Sequence, residues 1–379
     1  MLACIATFVS WSGAVWISGC GVDKRVLVGV SGGVDSAVAL YMVLSMGYRV
    51  DASFMINWHA ADGDKFCSMP QDLRDARLVC DQMGLVLHQV DFSEEYWQRV
   101  FNYCLDQFAM GNTPNPDVLC NSEIKFQVFW HYAKEHFGAE LIATGHYARK
   151  VHIDGQWRLL KGVDESKDQS YFLHRLSYDQ LSRAMFPLGE LTKLAVRAKA
   201  KELALPVWNK PDSTGICFIG ERKFGDFLRE YLLTRPGKIV DKTGKILGEH
   251  HGIYFYTLGQ RNGLGIGGLA GRQELPWYVM TKNLSDNILV VTQQREDLLH
   301  RTLYASKIHW INHDVELPMN CQAKIRYRQT DQQCWVEQNG DRLMVSFSEP
   351  QWAITPGQSV VFYQGVRCLG GAIIESYCH

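Results

Sequence analysis

No two of the eleven cysteines stand in a Cys-x-x-Cys pair, and their number is odd. A structural zinc site and a secreted disulfide framework are therefore both poor readings, and reduced thiols in a cytoplasmic protein are the default. Net charge is missing too, at a formal −1. This excludes non-specific coating of nucleic acid, so any RNA must be held by local patches. The first twenty residues contain no Lys or Arg. A secretory signal begins with positive charge, so despite the lipoprotein-like run Ile17-Ser18-Gly19-Cys20, residues 1–21 are read as a non-functional leader or a mis-assigned start. There is no low-complexity tract and no internal repeat, and 379 residues with 46% hydrophobic content predict two or three packed domains.

What is present is concentrated early. Val26, Leu27, Val28 and Val30 form an aliphatic run that ends in Ser31-Gly32-Gly33, after which Asp35 and Ser36 open an amphipathic stretch from Ala37 to Met46. The pattern predicts a buried strand, a tight glycine turn and a helix N-terminus. Unpaired N–H groups and the positive end of the helix dipole converge at such a turn and make an anion site. Ser31 and Ser36 can add hydroxyl donors, and Asp35 either holds a metal or caps the helix. The turn lacks the Gly-Lys-Ser/Thr ending of a Walker loop and the spacing of a dinucleotide fingerprint.

Further on, strands at 49–56, 85–90 and 140–144 alternate with helices at 70–83, 94–110 and 118–137. That order predicts a doubly wound parallel sheet with ligands at the carboxyl ends of its strands, where Ser31 and Asn57 fall. Cys80, Cys104 and the aromatic stripe Tyr96, Trp97, Phe101 and Phe108 read as core. Pro114 and Pro116 stiffen a loop that places Cys120 in the first turn of a helix, where the dipole favours a thiolate. Asp117, just before it, is a helix N-cap or an acid beside the thiol. Gly145 and His146 close the fourth strand as ligand contacts or as a plain turn. Cys217 lies in the small, polar run Asp212 to Gly220, open enough to react. From Pro236 the chain turns strongly β. The expected divisions are a catalytic domain at 22–224, a central β-rich domain at 225–295 and a C-terminal β-barrel at 296–379.

Six blocks carry a specific resemblance: Ser31 to Ser36, Thr113 to Asn121, Ala143 to Tyr147, Lys167 to Leu173, Asp212 to Gly220, and Thr257-Leu258-Gly259-Gln260-Arg261. Together they resemble the bacterial tRNA-specific 2-thiouridylases, a branch of the PP-loop ATP pyrophosphatases with an adenine-nucleotide α-hydrolase-like fold. The similarity runs from about residue 22 to 375, and only the leader departs from it.

The resemblance implies that ATP, with Mg2+, adenylates the 2-oxygen of a tRNA wobble uridine and that sulfur from a cysteine persulfide replaces it. Gly29, Val30, Ser31, Gly32, Gly33, Val34, Asp35, Ser36, Met55 and Gly145 would bind ATP. Asn115, Pro116 and Asp117 would meet the target base, with Asp117 as general acid/base. Cys217 would carry the persulfide and Cys120 would be the nucleophile, leaving a transient Cys120–Cys217 disulfide. His146, Lys167, Asp168, Gln169, Arg326, Tyr327 and Gln358 would contact tRNA, with Lys, Glu and Gln acceptors expected. A sulfur-carrier protein would supply the persulfide to a monomeric enzyme, and no resident protein-held metal is expected. Two other readings use the same loop: an ATP-dependent ligase or amidotransferase, which leaves both cysteines idle, and a non-catalytic RNA-binding module, which leaves an intact Ser31 to Ser36 without purpose.

Overall fold

The computed structural model describes residues 23–59, 68–212, 228–232, 235–266 and 275–378. The expected leader and Cys217 lie outside the described residues.

Five parallel strands form the first sheet. β1 (Arg25–Gly29) is flanked by β2 (Arg49–Ile56) and β4 (Leu141–Ala143), with β3 (Leu87–Asp91) beyond β2 and β7 (Ala184–Met185) beyond β4. The aliphatic run at 26–28 is completely buried because helices cover both faces of β1. The order reverses at β1, so the crevice between the carboxyl ends of β1 and β4 is the topological switch point where such sheets bind ligands. α1 (Val34–Ser45) follows β1 directly, and α2 (Met69–Gln82) follows β2. Cys80, Cys104, Tyr96, Phe101 and Phe108 are core residues.

Two helices depart from the plain α form that apolar periodicity predicts. The 94–110 segment contains a π-helical stretch, Trp97–Phe101, and the 118–137 segment contains a longer one, Cys120–Val128. Each extra residue per turn shifts the faces that follow, and such stretches occur often at functional sites.

The second sheet is four-stranded: β10 (Tyr278–Asn283), β11 (Ile288–Thr292), β8 (Gly237–Asp241) and β9 (Ile246–His250), with β11 and β8 parallel. In the third, β12 (Leu299–Trp310), β15 (Arg342–Trp352), β14 (Gln332–Asn339), β13 (Met319–Lys324), β16 (Ser359–Gln364) and β17 (Arg367–Cys378) pair in that order, and β12–β17 pairing closes them into a barrel. The barrel sheet takes on two further strands from the first segment. The hairpin β5 (Ala148–Ile153) and β6 (Gln156–Lys161) pairs with β17 through Leu160–Arg367 and Leu159–Cys368. No helix among the described residues is long and apolar enough to cross a membrane.

Candidate functional site

At the carboxyl end of β1, Gly32 has φ +76, and a Cβ there would lie 2.1 Å from the Asp72 carbonyl oxygen at the start of α2. Only glycine fits that approach. Gly33 is the N-cap of α1 and makes no side-chain cap, so the first-turn N–H groups have no side-chain partner from it. Ser36 is buried and stitches the turn, donating to Gly33 O at 3.0 Å and accepting from Ser31 N at 3.1 Å. It is therefore committed to loop shape in this form. Gly145, after β4, backs onto the turn so closely that a Cβ would lie 2.9 Å from Ser36 N. Met55 reaches in from β2, its Cε 3.1 Å from the Cβ position of Gly29. The fold thus brings Gly29 to Ser36, Met55 and Gly145 together from three strands.

Asp35 neither caps α1 nor stands free for a metal. Its carboxylate accepts from Tyr147 Oη at 2.7 Å and from Lys193 Nζ at 2.7 and 2.9 Å. Lys193 also pairs with Asp212 at 2.8 Å, which in turn binds Lys167 at 2.8 Å and Arg197 at 2.6 Å. Burial alone would raise the Asp212 carboxyl, but hydrogen bonds from Lys167 and Lys193 override it and hold Asp212 well below the usual carboxylate range. Burial, and then the charge of Asp35, raises the Tyr147 phenol, which stays protonated as a donor. On the other side of the turn, Lys210 donates to Gly32 O at 3.0 Å and to Asp72 at 2.7 Å, pinning the loop to α2. Asn57 is buried, and neither polar atom of its side chain has a partner among the described residues. Sequence reading missed Lys193, Arg197 and Lys210, because isolated cations well downstream of the loop carry no local pattern. No group of three His, Cys, Asp or Glu suited to a metal occurs among the described residues.

The other half of the site is built from Thr113 to Cys120. Asn115, not Asp117, is the N-cap: its Oδ1 accepts from Asp117 N at 3.1 Å and Val118 N at 3.4 Å, and Pro116 fills the first helical position. Asp117 lies in the first turn. Cys120 does not; it comes after the short helix Pro116–Leu119, opens the π-helical run and is completely buried. The helix-dipole argument for a thiolate is weakened accordingly, since Cys120 lies beyond the first turn. The next residue, Asn121, donates to Phe172 O at 3.2 Å.

The residues expected to touch tRNA are engaged within the protein. Burial, and then the charge of Lys125, pushes the His146 imidazole well below its usual value, so it is neutral, 2.7 Å from Thr144 Oγ1. Asp168 is buried and accepts from the backbone N–H groups of Gly162 and Ser170. Gln169 accepts from Tyr147 N at 2.9 Å. Arg326 donates to Ala353 O at 3.0 Å, and Tyr327 packs on Phe172 with ring centroids 4.3 Å apart. Gln358 donates to Thr113 O at 2.7 Å, while Thr113 N donates to Pro356 O at 2.9 Å. The barrel therefore grips the loop that leads to Asn115, Asp117 and Cys120.

Comparison with known proteins follows the same three-part layout. The family described as tRNA methyl transferase HUP domain matches residues 24–221, the tRNA methyl transferase PRC-barrel domain matches 225–293, and the aminomethyltransferase beta-barrel domain matches 300–374. A tRNA-specific 2-thiouridylase MnmA of Stutzerimonas stutzeri is 51% identical over 93% of this chain and 94% of its own. One of Klebsiella pneumoniae is 51% identical over 93% of this chain and 97% of its own. The chain belongs to the tRNA-specific 2-thiouridylase family. In this 2-thiouridylase-family chain the matched blocks hold the parallel sheet, the four-stranded sheet and the barrel, while the β5–β6 hairpin lies in the first block by sequence and in the barrel sheet by hydrogen bonding. Among solved structures, NMN synthetase from Francisella tularensis aligns with a TM-score of 0.32 at 17% identity, over 50% of this chain and 66% of that one, too slight a likeness to carry an argument.

Proposed function

We propose that this chain is an ATP-dependent tRNA sulfurtransferase that converts the wobble uridine of tRNA to 2-thiouridine. The observation that carries the reading is the convergence of a glycine turn, a helix N-terminus, Met55 and Gly145 at the switch point of a parallel sheet, in a chain of this family. An array of backbone donors suits pyrophosphate. Pyrophosphate is the leaving group when the uridine 2-oxygen attacks the α-phosphorus of ATP, and the adenylate so formed turns a poor leaving oxygen into AMP. The domain descriptions speak of methyl transfer, but a phosphate grip serves activation of the acceptor oxygen rather than a methyl donor.

Sulfur then arrives from a persulfide on Cys217. Its terminal sulfur attacks C2 and AMP departs. Cys120 attacks the Cys217 sulfur, the C2–sulfur bond stays with the base as a thione, and a Cys120–Cys217 disulfide remains for two-electron reduction by a cellular thiol. In the other order, Cys120 attacks the persulfide first and the released sulfide displaces AMP. Asp117 serves as the proton donor and acceptor beside these thiols. Because Cys120 is buried here, sulfur transfer requires the Thr113 to Cys120 segment to move on tRNA binding. Asp35 is neutralised by Lys193 and the described residues offer no multidentate acidic set, so they do not fit a protein-held Mg2+, and no step is assigned to one.

The test is nucleoside mass analysis of tRNA carrying Lys, Glu or Gln anticodons, incubated with the protein, ATP and a persulfide donor. A 2-thiouridine product that requires Cys217 is expected. Thiolation that persists in Cys217→Ser, or tRNA-independent pyrophosphate release as the sole activity, overturns the reading and favours an ATP-dependent ligase.

A further inference from the structure

An unassigned cluster of side chains lies where the first domain meets the barrel, beside the Asn115 loop. A small cleft there has a largely apolar lining, into which Tyr103, Asn115, Arg175 and Ser359 bring polar groups. Arg175 is half-buried and makes no hydrogen bond or ion pair among the described residues. A guanidinium offers five N–H donors and is costly to desolvate without an acceptor, so a half-buried one with no protein acceptor is available to an anion. Its charge is felt nearby: His174 and His309, both kept neutral first by burial, are lowered further by Arg175. Ser359, buried at 1% exposure on the same wall, has a hydroxyl with no partner among the described residues.

A second cation is carried by backbone geometry onto Tyr103, one of the residues that line this cleft. β12 pairs irregularly with β17 between Ser306 and His309, and Lys307 sits in that irregularity at φ +50. A bulge of this kind turns a side chain out of its regular direction. It sends Lys307 across the domain boundary onto Tyr103, with Nζ 4.6 Å from the ring centroid and 3.2 Å from the hydroxyl. An exposed lysine anchored by an aromatic ring loses less freedom on gripping a ligand than a free one. Asp117, the acid of this loop, is instead close enough to Cys104 to raise that thiol further, after burial.

We infer that Arg175 and Lys307 form a phosphate-binding step for the RNA backbone at the junction of the first domain and the barrel, next to the loop expected to hold the target base. The inference rests on the tRNA reading above and adds a site to it. Backbone phosphates flanking the splayed uridine dock on the two cations, fixing the register of the RNA while Asn115 and Asp117 meet the base. The site supplies the local positive patch that a chain of net charge −1 needs.

The test measures affinity for an unmodified tRNA transcript across a potassium chloride series, for the wild type, Arg175→Gln, Lys307→Gln, the double variant and Lys307→Arg. Each neutral variant is expected to reduce the slope of log affinity against log salt by about 0.7–0.9, and the double variant by about twice that, with affinity down about tenfold or more at low salt. Lys307→Arg should restore the wild-type slope, and thermal midpoints should show that all variants are folded. A double variant that binds as the wild type does, with an unchanged slope, overturns the phosphate site. A wild type that shows no salt-dependent tRNA binding overturns the tRNA reading itself, so the two failures are distinct.

Discussion

Around Gly32 and Gly145 the close approaches are made by backbone, whereas around Asn115 and Gln358 they are made by side chains from different domains. At the first place, Gly32 abuts Asp72 and Gly145 abuts the Asp35–Ser36 peptide, with Lys193 and Lys210 as outer braces. At the second, Gln358 holds Thr113, Asn115 caps its own helix, Tyr327 covers Phe172 and Cys120 is buried. Backbone geometry cannot be exchanged for ligand contacts, so the glycine-turn end, proposed above to grip phosphate, is formed before any ligand arrives. Side-chain hydrogen bonds can be exchanged one for one, so the Asn115 end, proposed above as the base end, holds itself closed with the groups that the tRNA reading assigns to RNA contact.

The strongest challenge to this contrast is Gly32→Ala. Positive φ and the clash with Asp72 should together cost about 3 kcal/mol or more, and pyrophosphate release should fall to background. Calorimetry beside a pyrophosphate assay checks it; near-normal activity would mean that the turn is not fixed by its backbone. Asp35→Asn comes next. Lys193 keeps Asp212, so the thermal midpoint should move by only about 1 kcal/mol equivalent, while tRNA-dependent pyrophosphate release falls about a hundredfold.

How much of this was legible in the sequence follows from the same contrast. The strand, glycine turn and helix around Ser31 are local in sequence, and hydrophobic period with turn chemistry sufficed to find them. Gly145 was a candidate from its place at a strand end, Met55 came from family resemblance alone, and Lys193, Arg197 and Lys210 were invisible because an ion pair between distant positions leaves no periodic trace. The barrel was legible as alternating strands, but its two longest, β12 and β17, were not, since bulges interrupt their alternation. The π-helical runs were also missed, because an extra residue per turn looks like ordinary drift in an apolar pattern. Asn115 as the true cap shows the common one-or-two-residue error at a helix start.

Two smaller experiments sharpen the description of the base end. His174 is buried between the Tyr171 carbonyl, to which its Nδ1 lies at 2.7 Å, and Gly371 of β17, whose Cβ position is 2.5 Å from the ring. Burial pushes its imidazole down to about 3. Between there and the unfolded value of about 6.5, only the unfolded chain takes up the proton. The contribution is therefore intact above about pH 6.5 and is lost as pH falls, by at most about 1.4 kcal/mol per pH unit. Thermal midpoints between pH 7.5 and 4.5 should fall less steeply in His174→Gln than in the wild type; parallel profiles would remove His174 as the cause. Last, Gln358→Ala should cost about 1 kcal/mol and speed amide exchange between Thr113 and Asp117 without changing exchange at Gly32, as expected if the two ends are held independently.

The hairpin that the first domain lends to the barrel has a consequence for synthesis. Arg367 and Cys368, which pair with Leu160 and Leu159, are made close to the end of the chain. Until they leave the ribosome, β6 presents an unpaired strand edge, and the finished parallel sheet alongside does nothing to cover it. A fragment ending before β12 therefore carries a sticky edge of its own, and recombinant truncations to the ATP domain should aggregate unless β5 and β6 are removed or the barrel is supplied in trans.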